Sequence, residues 1–415
     1  MVQEHELKAE TSRMIDSRGL ISLLVINILV GSASGIMLLA LPLYTISLHS
    51  SATEMGLIGG MAGAGRMLII IPSGVWADRY GTRKLFVLSS LACVALTAMI
   101  PWVKSTGSLM AIMFFQGMAQ SIGFLTLQAG FLKRMKYLEA SRAGWQRSAT
   151  QLGFYLIGPL TAAALLSKEN FFPAFYAVIS LLLSGVAVVL YRSRKGIREV
   201  TEYTHTTPYE DLKQTLFLLK DRNLLAVMAI ELLNAAIFAL FRTFLAPVAT
   251  DVLHLPLQTV SWMVITQGSV AMVTLFWGGL LFADRSDSWC FNVAAVMTLT
   301  GNAVMASAGS SAPFCVGTFL YGVGTGMLGY CSLVRLTRVE GDKGKIAALF
   351  SLSVAVGTTC GPVFGGVVGE TVGLQTVFFT PVVLLLIIMI MQMVRLAISP
   401  PLQSDSEQLT QVTQE

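Results

Sequence analysis

The chain has 415 residues, of which 54% are hydrophobic and 12% charged, with a formal net charge of +5. An ordinary soluble domain carries about 25% charged residues, so this composition excludes a soluble globular protein and fits an integral membrane protein. No Asp, Glu, Lys or Arg occurs over 19–53, 85–103, 105–132, 171–191 or 371–394, and each run covers the roughly 20 residues a helix needs to cross the hydrocarbon core.

Divided at Gly, Pro and polar punctuation, the sequence gives twelve spans near 19–46, 54–76, 84–104, 108–131, 149–167, 172–192, 223–249, 258–282, 289–307, 312–335, 346–368 and 373–397. Backbone groups in lipid have no water to bond, so the spans are helices: the expected fold is an all-α integral membrane protein with twelve transmembrane helices. The N-terminus is too polar, and the first run too long, for a cleaved signal peptide. It is expected to remain. Of 28 Lys and Arg residues, 24 fall in tails and loops that share one side, Lys104 and Lys168 fall on the other, and Arg66 and Arg242 lie inside spans. The basic side is cytoplasmic by the positive-inside rule, which places both termini there. Cys93, Cys290, Cys315, Cys331 and Cys360 have no paired spacing and read as small packing residues rather than disulfides or metal ligands.

Span 1 carries Asn27, Ser32 and Ser34 and ends near Pro42; these polar groups either line a path or bond neighbouring helices. Span 2 contains Gly59, Gly60, Gly63 and Gly65, followed by Arg66. After it comes GVWADRYGTRK, residues Gly74 to Lys84, with one acid, three basic residues and two glycines in eleven positions. Glycines permit a sharp turn, and the charges suit helix ends of either polarity. Read as G-x-x-x-D-R-x-G-x-R-K, with Gly74, Asp78, Arg79, Gly81, Arg83 and Lys84 at the defined positions, this stretch resembles the signature between helices 2 and 3 of the major facilitator superfamily. The resemblance implies two pseudo-symmetric six-helix bundles around a central cavity that opens alternately to either side. It also implies a gating latch between domains at the cytoplasmic face, with Asp78 facing the N-terminus of helix 11 and the basic residues tying neighbouring helix ends.

Spans 3 and 6 are nearly free of polar side chains and are expected to support the bundle. Span 4 has Gln116 and Gly117, but Met113 stands where many family members have an arginine, so no mechanism resting on that arginine transfers. The basic stretch Lys133 to Arg147 reads as a cytoplasmic topology determinant that anionic headgroups also attract. Span 5 contains Gly153, Gly158 and Pro159, then Ala162 and Ala163. It resembles the helix 5 motif of superfamily antiporters, with alanines for the final glycines and irregular spacing. Span 11 holds the cleaner copy, Gly357, Gly361, Pro362, Gly365 and Gly366. Such a kinked, closely packed hinge reads as a gate that prevents leak and favours export, or as ordinary small-residue packing.

The polar stretch 193–222 divides the N-terminal bundle, 1–192, from the C-terminal bundle, 223–399. Leu212, Leu216 and Leu219 in it are spaced for a short helix on the membrane surface. The tail 400–415 is polar and is expected to be disordered. The halves repeat: Leu48-His49 recurs as Leu253-His254, Pro42 as Pro247 and Gly117 as Gly322 at an offset of 205, and Gly158-Pro159 as Gly361-Pro362 at 203. The second signature, GGLLFADRSDSW, keeps only Asp284 and Arg285.

A charge in mid-span costs at least about 2.5 kcal/mol, so it faces a cavity or a partner. Three stand out: Arg66, Glu231 and Arg242. Glu231 and Arg242 lie within roughly 20° of one face of helix 7, about 16 Å apart by rise. Glu231, the only mid-span carboxylate, is the candidate proton carrier; the alternative is a structural Glu–Arg pair. Arg66 and Arg242 suit bidentate recognition of an anionic group, or else Arg66 braces helix 11 or a backbone carbonyl. Asn234 and Gln267 are weaker candidates for cavity contacts.

The expected function is a proton-coupled exporter, in a bacterial inner membrane, of a small amphipathic compound such as a drug or a secreted natural product. The alternative is uptake or exchange of a small organic anion; a non-transporting receptor or scaffold is the remote one. No nucleophile–base constellation, metal-ligand spacing or phosphate-binding glycine loop occurs, so neither an enzyme nor an ATP-driven pump is expected. No cofactor, metal or nucleic acid is implied. The expected partners are the substrate, protons and the bilayer, with the monomer as the working unit.

Overall fold

The computed structural model describes residues 2–135, 145–166, 170–193, 222–281, 286–338, 343–383 and 385–386. Eleven long helical elements run through them in chain order: α1 (Val2–Ser47), α2 (Ala52–Tyr80), α3 (Thr82–Met99), α4 (Thr106–Met135), α5, α6 (Phe172–Ser193), α7, α8 (Leu257–Leu281), α9 (Asp287–Ala306), α10 (Ser311–Arg338) and α11 (Lys343–Thr371). The fifth, α5, joins Trp145–Leu152 to Gly158–Leu165 through a π-helical turn, Gly153–Ile157. The seventh, α7 (Arg222–Pro247), continues into a second π turn, Val248–Val252. Eight of these helices are long and apolar enough to cross a membrane, and a twelfth begins as the apolar helix Leu374–Val383. The surface helix expected before span 7, Asp284 and Arg285, and the tail 400–415 lie outside the described residues.

The inserted signature resolves into helix and a single-residue turn. Gly74, Asp78 and Arg79 continue α2, and Gly81 alone makes the corner, at φ 83°. That is a left-handed conformation that a side chain disfavours. Arg83 donates to the Val189 carbonyl near the end of α6 at 3.4 Å, Arg79 lies 5.6 Å from the Tyr80 ring centroid, and Lys84 is exposed. The end of the molecule bearing Gly81 is termed here the signature end.

The opposite end carries the repeat in its backbone. Among the described residues, His49 and His254 are the only non-glycine residues with positive φ, at 54° and 53°. Both follow a leucine just past the end of a first-of-six helix, where a left-handed residue closes the last turn. This is the histidine end.

Within each half the same two helices embrace through glycine. Gly153 lies against the Ile28 carbonyl and Ser32 amide of α1, and Gly158 against Gly35; in the second half, Gly357 meets Leu232 and Ala236 of α7, and Gly361 meets the Ala236 carbonyl. The first pair is separated by five positions and the second by four. The π turn of α5 absorbs that extra residue, which accounts for the irregular motif spacing.

Contacts between halves are also paired. On α2, antiparallel to α11, Gly63 meets Thr359; on α8, Gly268 meets the Tyr155 ring of α5. Gly63 and Gly268 are equivalent at the offset of 205. The α2–α11 seam continues to the histidine end, where Gly56 packs on Pro362 and Gly366, and Gly365 against Leu240, Phe244 and Val377. It finishes with the Thr53 amide donating to Glu370 Oε2 at 3.3 Å. A carboxylate is favoured at a helix N-terminus.

A side chain at Gly56 would meet the Pro362 carbonyl. In a cysteine-free background, Gly56→Val is expected to raise maleimide labelling of Thr45→Cys several-fold, because Thr45 is 2% exposed in the closed seam. Unchanged labelling would show that this seam does not seal the histidine end.

Candidate functional site

Between the halves lies a cavity of about 390 Å³ lined by residues of α1, α2, α4, α5, α7, α8, α10 and α11. It is bounded at the histidine end by Pro42, Thr45 and Met55, and it reaches Arg147 towards the signature end, where that side chain is exposed. All five residues singled out as substrate or proton sites, Arg66, Glu231, Asn234, Arg242 and Gln267, line this one cavity.

The helix directions explain how the cations meet. Side chains tilt towards the N-terminus of their own helix, and α2 and α7 run in opposite senses, so Arg66 and Arg242 lean towards each other and feel one another's charge. Arg242 carries its guanidinium 5.9 Å over the Phe154 ring. Neither arginine has a hydrogen-bond or ion-pair partner among the described residues. Glu231 accepts from the Ser332 hydroxyl at 2.7 Å instead of forming an ion pair along α7, and Arg147 is the cation whose field reaches it. The described wall thus holds three guanidiniums against one carboxylate.

The amides divide into two kinds. Gln120 donates to Ser34 at 2.9 Å, and Asn27 is held by Leu23, Thr150 and Gln146, so the polar groups of span 1 bond neighbouring backbone and helices. By contrast, Gln116 Oε1, Gln151 Oε1 and Asn234 Oδ1 are buried without a hydrogen-bond partner among the described residues. Gln267 is 2% exposed, and its backbone packs against Gly322.

Sequence reasoning missed Arg147, Gln151, Phe154, Tyr155 and Phe238. Arg147 looked like the last residue of a solvated basic loop. The signal was its spacing: Arg147, Gln151 and Tyr155 recur every fourth residue and so share a helix face. The hinge glycines lie on the packing seams described above rather than in the cavity wall, and nothing is described of the Asp78 side chain.

Two helical bundles enclosing a charged cavity that is sealed towards one end are the architecture of a membrane transporter. The sequence matches the Major Facilitator Superfamily over residues 23–333 and 227–414, and the chain belongs to that family. An uncharacterized MFS-type transporter, YxaM, of Bacillus subtilis is 23% identical over 184 residues, 44% of this chain and 46% of that protein; the match therefore spans less than half of that relative's length. A point mutant of the nucleoside transporter NupG superposes with a TM-score of 0.79 at 12% identity, over 90% of this chain and 98% of that one. A bacterial homolog of the human lysosomal transporter Spinster, inward-facing and unoccupied, gives 0.74 at 14% identity, over 90% and 95%. The human organic anion transporter MFSD10 gives 0.59 at 16% identity, over 90% and 98%.

An arginine that braced the fold would be missed on removal, whereas one left unpaired costs stability until a ligand arrives. Arg242→Met is accordingly expected to stabilise the unloaded protein by about 1 kcal/mol, read as a rise in Tm in detergent. A fall in Tm would assign Arg242 to the fold.

Proposed function

We propose that the protein carries a small amphipathic organic anion across a bacterial inner membrane by alternating access, in exchange for protons. The observation that supports this most is the pair of arginines, Arg66 from one half and Arg242 from the other, that share a single cavity with no ion-pair partner among the described residues. An anion seated between them offsets their repulsion and holds the halves together, so it binds the closed arrangement better than the open ones; that difference couples binding to movement. Met37, Met113, Phe238 and Leu275 supply apolar wall for the rest of the molecule.

With the basic loops cytoplasmic, the histidine end faces outward and the structure is inward-facing. Glu231 is the proton carrier in this reading, and Ser332 stabilises its ionised form by donating to it. Export agrees with the driving force: an anion leaving and a proton entering both move charge with an inside-negative potential, worth about 2.3 kcal/mol per charge per 100 mV. The signature residues act at the latch, and the Gly–Pro motifs of α5 and α11 act as hinges. The monomer contains the whole path.

A second reading follows from the same repulsion. If the unloaded cavity closes poorly because Arg66 and Arg242 face each other, the protein returns only when refilled and exchanges one anion for another.

Energised inside-out vesicles containing the protein test both. Added aromatic or aliphatic carboxylates are expected to release protons from the lumen in the wild type and to lose that release with Glu231→Gln, while counterflow of labelled anion survives. Counterflow without any proton signal in the wild type would establish exchange. Proton release with cationic drugs alone would overturn the anion reading.

A further inference from the structure

Resting on the anion reading, we infer that the cavity is shaped for an aromatic organic acid whose ring bears a hydroxyl or amino group at the end remote from the acid. The argument starts from order along α7. Asn234, Phe238 and Arg242 recur every fourth residue, so one strip of that helix presents an amide, a ring and a cation over about 12 Å. The facing helix α5 repeats the first two: Gln151, then Tyr155 beside Phe154.

The rings form one group across the two halves. Phe154 and Tyr155 stand edge to face at 4.8 Å, and Phe238 lies 6.5 Å from each. Flat groups pack on such surfaces with directional preference beyond their area. Along α7, Arg242 lies on the histidine side of Phe238 and Asn234 on its signature side; along α5, Gln151 lies on the signature side of Tyr155, and Arg66 leans towards Arg242 from α2. Each half therefore supplies one cation and one amide oxygen, Gln151 Oε1 or Asn234 Oδ1, that is buried without a hydrogen-bond partner among the described residues. Both oxygens are turned into the wall in the unloaded state. They lose no hydrogen bond on rotating towards a donor, and an unmet buried acceptor gains most from one. A purely apolar acid would leave both unmet.

Binding to the purified protein, measured by calorimetry, tests this with para-hydroxycinnamate, cinnamate and the saturated-ring analogue cyclohexylpropionate. The hydroxylated acid is expected to bind about tenfold more tightly than cinnamate, and cinnamate several-fold more tightly than the saturated acid. The double variant Asn234→Leu, Gln151→Leu should abolish the advantage of the hydroxyl, so that para-hydroxycinnamate and cinnamate bind alike. The ranking in the wild type stands without the variant. Equal binding of all three acids would overturn this inference and leave the anion reading intact; binding of none, with the protein folded, would overturn both.

Discussion

The close approach of helix backbones at glycine is the contact on which the structure depends. Between helices in lipid there is little hydrophobic gain, since the tails are as apolar as leucine, and association rests on packing and interhelical hydrogen bonds. Here the seams are built accordingly. Gly65 and Gly117 let α2 and α4 touch, Gly322 and Gly326 do so for α8 and α10, and Gly31, Gly35, Gly153 and Gly158 fit α1 to α5. Where a seam joins the halves, as along α2 and α11, the same small residues leave the contact free of interlocking side chains. The same packing therefore serves both within each bundle and between the two.

Against that apolar frame, the charges gather in one place. Insertion of a lone guanidinium into a bilayer is costly, yet Arg66 and Arg242 have no hydrogen-bond or ion-pair partner among the described residues and face the cavity and each other. The protein carries an electrostatic deficit that a ligand can fill. Glu231 sits further along α7 with its own neutral donor, Ser332, and is thus not consumed in neutralising the arginines.

Much of this was legible in the sequence. Uninterrupted apolar runs place the spans from 54–76 to 346–368 within about four residues of the helices, because in lipid length and hydropathy dominate, whereas the first helix begins well before its apolar run, at Val2, and the end of the last span lies outside the described residues. Mid-span charges located the cavity for the same reason: Arg66, Glu231 and Arg242 had nowhere else to go. Other features depended on three-dimensional neighbours. That Gly74 continues α2 while Gly81 turns the chain is a matter of φ, which two identical letters do not reveal. Phe154, Tyr155 and Phe238 carry no mark of the cavity in the sequence, because aromatic side chains are common both facing lipid and in cores. Gln151 and Asn234 differ from Gln120 and Asn27 only in whether a partner lies across the helix gap.

The π turn in α5 gives the path its polarity. At an offset of 204, Phe154 and Tyr155 of the first half stand where Thr358 and Thr359 stand in the second, so one flank of the passage is ringed and the other hydroxylated. The halves differ here by one residue in the spacing of their helix glycines, and a bulky ring, Tyr155, meets Gly268 on one side only. Equivalent glycines thus receive a ring on one seam, at Gly268, and a threonine on the other, at Gly63, so the two contacts between the halves differ in bulk and polarity.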